Sequence, residues 1–153
     1  MSIVVISDTS CLIALDRINQ LDLLQKLFHQ IVTTQVVREE FGKELPEWIQ
    51  IVEVQNQDKI QELEAVLDKG EASAIALALE TAKSQLIIDE KKGRKVAQSL
   101  NIEIMGTLRV IQMAKQKGII EFARPVIEDL QKAGFRFSQK IVNILLNDEW
   151  TWR

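Results

Sequence analysis

Four consecutive β-branched residues near the start, Ile3-Val4-Val5-Ile6, constrain this chain most. A strand with one wet face alternates apolar and polar residues. An unbroken apolar run is covered on both faces, as in the middle of a parallel sheet. Parallel strands need a long crossover between them, usually a helix. The rest of the chain supplies such crossovers. Helical patterns are read at Cys11–Arg17, Asn19–Phe28 and Val36–Phe41, the last with Gly42 as a C-cap. Ile31-Val32-Thr33 reads as a second strand, Leu45–Trp48 around Pro46 as a loop, and Ile51–Val54 as a peripheral strand. Asp58–Leu67 is helical, and Gly70 is expected to break the chain there. Glu71–Lys83 carries apolar residues nearly all round, the mark of a central, closely packed helix. Strands at Leu86-Ile87-Ile88 and Ile102–Met105 are then interleaved with helices at Lys91–Leu100 and Leu108–Lys117. Two more helices follow, Phe122–Ala133 and Ser138–Leu146.

This order predicts a three-layer α/β/α fold about a central, mainly parallel sheet. We expect one domain over residues 1–153, with its core in about 1–120 and extra C-terminal helices over about 121–147.

Composition removes most chemistries. With 19 Lys and Arg against 22 Asp and Glu, the chain is no general polycation, so nucleic-acid binding must come from a local patch or from metal ions. A single cysteine, Cys11, excludes a disulfide framework and a multi-thiolate zinc site, and reads as core. The single histidine, His29, excludes two-histidine metal sites. No tyrosine is present to serve as a nucleophile. The six glycines are scattered, which excludes both glycine-rich phosphate loops. The opening MSIVVISDTS has neither a basic leader nor a membrane-length apolar run, so a cytoplasmic location is expected. The equipment left is mainly carboxylates.

Ligands of open α/β sheets bind beyond the C-terminal strand ends. Asp8 and Asp89 stand at two such ends. Taken alone, Asp8 reads first as an N-cap; two acids at two central strand ends point to a site. Glu71, after Gly70, opens the most buried helix, where a helix dipole also favours an acid. Glu40 lies beside Glu39 late in its helix. Gathered in one cleft, Asp8, Glu40, Glu71 and Asp89 would repel one another and raise their own pKa values. An all-oxygen set of this kind calls for Mg²⁺ or Mn²⁺.

Taken in order, ISDTSCLIAL, TQVVREEF, GEASAIALA, LIIDEKKGRKVA and GTLRVIQMAKQKGII resemble the PIN domain, and most of all its prokaryotic VapC-like subgroup. The resemblance runs from Ile3 to about Ile120 and weakly through the last helices. It implies a metal-dependent ribonuclease, often the toxin of a toxin–antitoxin pair. It assigns Asp8, Glu40, Glu71 and Asp89 as metal-holding catalytic acids, with Glu39 a one-residue alternative to Glu40. Ser10 matches a hydroxyl that hydrogen-bonds within the site. Glu90 sits where relatives often have a second aspartate, and Arg109 where they often have glycine; bulk there narrows the cleft or brings a cation to phosphate. The mechanism implied is attack by a water whose pKa the ions lower, with the departing oxygen neutralised by a second ion.

Arg94 is the basic residue expected to face substrate, from the run Lys91, Lys92, Arg94 and Lys95. Thr107 caps a helix or touches phosphate. The implied partners are RNA, a cognate antitoxin and a second copy of the chain, with Leu21, Leu24 and Phe28 a face for dimerisation or for the core. No membrane partner is expected. Trp150 and Trp152 read as a sticky tail for docking or a structural tuck-in. Rival enzymes fit poorly. A haloacid-type phosphatase needs an aspartate where Ser10 stands, a phospho-receiver needs a second early acid, and a serine hydrolase would have only His29 as base. The non-enzymatic rival is a silent PIN fold that binds RNA or protein.

Overall fold

A computed structural model describes residues 3–147. The tail bearing Trp150 and Trp152 lies outside the described residues. The elements run β1 (Val4–Ser7), α1 (Thr9–Arg17), α2 (Asp22–Phe28), β2 (Ile31–Thr34), α3 (Gln35–Phe41), β3 (Ile49–Val52) and α4 (Gln57–Leu63). They continue α5 (Lys69–Leu79), β4 (Ser84–Ile87), α6 (Lys91–Ser99), β5 (Glu103–Met105), α7 (Thr107–Gln116), α8 (Arg124–Lys132) and α9 (Gln139–Leu145). The sheet order is β3-β2-β1-β4-β5, and every pairing is parallel.

Strand alternation sorts the core into two faces. Val5, Ile31, Ile49, Ile87 and Met105 point to α1, α2 and α7. Ile6, Leu86 and Ile88 point to α4, α5 and α6. Burying both faces is what the unbroken apolar strands require, and it yields three layers. The helices α8 and α9 add a satellite core, packing Val126, Ile127, Leu130 and Val142 against Ala14 of α1 and Ile111 of α7.

The structure corrects the reading of Gly70. It does not break the chain; it sits inside the first turn of α5, which begins at Lys69 with Asp68 as its N-cap. The candidate dimer face on α2 belongs to the core: Leu24 is buried, and Leu21 and Phe28 pack on the same cluster. Gly42 closes α3 at φ 78°, a left-handed position suited to glycine. Among the described residues, no helix is long and apolar enough to cross a membrane.

The strand order decides where a ligand can go. The chain leaves β1 towards β2 and β3, then returns to the opposite side of β1 as β4. That reversal opens a crevice at the C-terminal ends of β1 and β4. The two strands are in register from Val4↔Ser84 to Ser7↔Ile87, so their ends are level.

Candidate active site

Asp8 and Asp89 follow those two adjacent strands and flank the crevice. The Asp8 backbone N–H donates to the Ile87 carbonyl at 3.0 Å, extending the β1–β4 ladder by one step. Its side chain is 1 % exposed. Oδ1 accepts from the Cys11 N–H at 3.3 Å and so caps α1. Oδ2 is buried with no hydrogen-bond partner. The capping role is therefore real and uses one oxygen only. An ionised carboxylate oxygen left alone in the interior is costly. Accordingly, burial pushes the Asp8 carboxyl well above the usual range; Asp89, then Glu71 and Asp68, push the same way, and the Cys11 N–H opposes them.

Asp89 is held firmly. Its Oδ1 accepts the Thr107 backbone N–H at 2.8 Å and its Oδ2 the Thr107 hydroxyl at 2.5 Å. Thr107 is 1 % exposed. The helix-capping role expected of Thr107 is corrected: the N-cap of α7 is Gly106, and Thr107, one residue further on, gives its N–H and hydroxyl to Asp89.

Glu71 lies in the first turn of α5 and is buried. The Asp68 carboxylate accepts its N–H at 2.9 Å, and the Asp68 N–H bonds back to the Glu71 carboxylate. This is a reciprocal cap of the Asp-x-x-Glu kind. Burial first, then Asp68 and Glu90, raise the Glu71 carboxyl to about 7. Glu40 is exposed, and its Oε1 accepts the Thr9 hydroxyl at 2.5 Å. Of the two neighbours Glu39 and Glu40, Glu40 is the one that leans over Gly70 and Thr9.

Three glycines make room for three of these acids. A methyl on Gly70 would fall onto Glu40 Oε1. One on Gly93 would lie 3.2 Å from Glu71 Oε2, and one on Gly106 would lie 2.9 Å from Asp89 Oδ1. Each site carboxylate apart from Asp8 occupies space that a side chain would otherwise fill. Sequence reasoning missed this role, and it missed Thr9 and Asp68. The Asp68-x-x-Glu71 spacing was the available signal for the last of these.

Other expected residues fall elsewhere. Ser10 is exposed, and Thr9 makes the hydroxyl contact that the resemblance gives to Ser10. Glu90 caps α6 through the Lys92 N–H. Lys91, Lys92 and Lys95 are exposed at the surface of that helix. Arg94 turns inwards and donates from one guanidinium nitrogen to the Ile88 carbonyl at 2.9 Å. Cys11 is fully buried, as a core residue.

The oxygen-only donor set and the orphaned Asp8 Oδ2 suit a hard divalent cation. The carboxylates do not converge on a single point: among the described residues, no group of three or more acidic, histidine or cysteine side chains stands ready to hold a metal ion. Glu40 and Asp89 instead point oxygens at Thr9 and Thr107. Asp8, Glu71 and Asp89 remain the acids that share the buried crevice, with Glu40 at its rim.

A family model described as a PIN domain matches residues 4–149. No curated protein matches the chain. The match takes in every element of the three-layer fold and all four candidate acids. The chain belongs to the PIN domain family, whose members are in general nucleases that work with divalent metal ions.

Proposed function

We propose that the protein is an Mg²⁺- or Mn²⁺-dependent endoribonuclease, and that it acts as the toxin of a toxin–antitoxin pair. The observation that carries the nuclease reading is Asp8: buried at the switch point, with one oxygen capping α1 and the other without a partner beside Asp89. An unpaired buried carboxylate costs stability, and positively charged ligation is what offsets it. Asp8, Glu71 and Asp89, with Glu40 at the rim, are the residues that would hold the ion. An ion held there would lower the pKa of an attacking water and would offset the charge of a phosphodiester in displacement. The protein's own part is orientation. Thr107 fixes Asp89, the α1 N-terminus fixes Asp8, and the Asp68 cap fixes Glu71. The toxin role rests on the resemblance of the ordered motifs, and it implies a small partner protein that occupies the cleft.

The test is Mn²⁺-dependent cleavage of single-stranded RNA by wild type and Asp8→Asn side by side. Cleavage by wild type alone supports the reading. Equal cleavage by both refutes this placement of the site. RNA binding without cleavage by either makes the protein a binding module instead. For the toxin role, a small protein encoded alongside should co-purify and suppress cleavage.

A further inference from the structure

Beside Asp89 lies a cleft of about 370 Å³ whose walls carry three arginines, Arg94, Arg109 and Arg136, together with Phe137 and Ser138. We propose that this cleft is a nucleotide subsite of the nucleic-acid strand: it takes the phosphate that adjoins the scissile one, with the base against Phe137. The inference rests on the nucleic-acid reading above and adds the residues that grip the strand.

Charge argues for an anion. Among the described residues, none of the three guanidinium groups is ion-paired with a carboxylate. Arg94 is anchored on the Ile88 carbonyl, and Arg109 is steadied by Gln112 at 2.6 Å, a neutral partner that leaves its charge uncompensated. Three guanidinium groups share this lining with one carboxylate, Asp89, and the remaining excess of positive charge repels itself unless an anion joins it. Guanidinium forks match phosphate oxygens bidentately. The chain as a whole carries −3, so phosphate attraction has to come from such a local patch.

Position argues for nucleic acid. The cleft is continuous with Asp89, an acid of the crevice where the chemistry is placed. Its volume falls in the usual range for small-ligand sites, roughly 300–1,000 Å³. A half-buried phenylalanine next to a phosphate site is the arrangement on which single-stranded bases stack. Arg136, Phe137 and Ser138 come from the connection between α8 and α9. The C-terminal helices, expected as an appendage, thereby complete one wall of the substrate site. Arg109 takes the second of the two roles open to it, a cation for phosphate.

The test uses a fluorescein-labelled oligouridylate, bound in EDTA so that no cleavage occurs and read by anisotropy from 50 to 200 mM KCl. Wild type is compared with the Arg109→Ala, Arg136→Ala double variant, neither side chain being buried. The expected result is at least ten-fold weaker binding by the variant at 50 mM KCl, with the salt slope lowered by about 0.7 for each phosphate no longer neutralised. The Arg109→Lys, Arg136→Lys double variant should recover the slope but not the full affinity. Equal binding and equal slope for wild type and the Ala variant overturn the proposal, as does binding of a fluorescein-labelled oligoglutamate in place of the RNA. Cleavage with Mn²⁺ is scored separately. Arginine-dependent binding with no cleavage by wild type would sink the nuclease reading and leave the subsite standing.

Discussion

Replacing Gly70 with alanine separates the stability of this fold from the geometry of its site. Gly70 is buried in the first turn of α5 with Glu40 lying over it. An added methyl would overlap Glu40 Oε1 and come 2.7 Å from Thr9 Oγ1. The exposed, flexible glutamate swings away, and the Thr9 hydroxyl, freed of it, rotates off the new methyl. Losing the Thr9–Glu40 hydrogen bond costs about 1 kcal/mol. Alanine in place of a helical glycine returns roughly 0.5–1 kcal/mol. The two nearly cancel, so the midpoint of thermal unfolding should stay within about 4 °C of wild type. The site fares differently. The displaced carboxylate moves by an ångström or more, and a misplacement of ~1 Å near a reacting centre costs about a hundred-fold in rate. The assay is kcat for Mn²⁺-dependent RNA cleavage, with Mn²⁺ affinity by calorimetry on the same preparations. In a Glu40→Gln background, the Gly70→Ala change should add nothing further, because the two act through one carboxylate. Wild-type rate and Mn²⁺ affinity in Gly70→Ala would refute the reasoning, and so would a full additional loss in the Glu40→Gln background.

Two further outcomes are expected. The Glu71 carboxyl is raised to about 7 by burial, Asp68 and Glu90, above its ordinary unfolded value of about 4.3. Between those values the folded state holds the proton more tightly, so unfolding releases it and stability falls as pH rises through the window. The metal-free protein should therefore melt higher at pH 5.5 than at pH 8, Glu71→Gln should flatten that slope, and Mn²⁺ should raise the pH 8 value most; a metal-free slope identical in Glu71→Gln would count against it. Thr107→Val removes the hydroxyl that Asp89 accepts and should cost roughly 1.5–3 kcal/mol in denaturant unfolding, the range for hydrogen bonds to charged groups. Its cleavage rate should fall, and Thr107→Ser should restore both; failure of the serine variant would show that the methyl, not the hydroxyl, is what matters.

The apolar run at β1 implies burial on both faces, and β1 is the central strand. Ile51–Val54 reads as peripheral, and β3, at Ile49–Val52, is an edge strand. Asp8 and Asp89 are recognisable because a strand end followed by an acid is a local pattern. Gly70 misleads because glycine is a common helix terminator, while here its missing side chain serves Glu40, a residue thirty positions earlier in the chain. Ser10 and Thr9 are adjacent hydroxyls at the start of one helix. Which of them meets Glu40 depends on how α1 and α3 pack.

The sequence by itself determined the parallel α/β plan, the family and the strand-end positions of Asp8 and Asp89. All of these are written in short stretches where periodicity, caps and residue type suffice. Only the tertiary structure decided that β4 returns beside β1, which brings Asp89 to Asp8. It also decided that Thr107 is spent on Asp89, and that Arg136 and Phe137 reach the same cleft as Arg94 and Arg109. The physical reason is range. Hydrogen bonding and helix periodicity act over a few residues, whereas burial and charge act between any surfaces that the fold brings into contact.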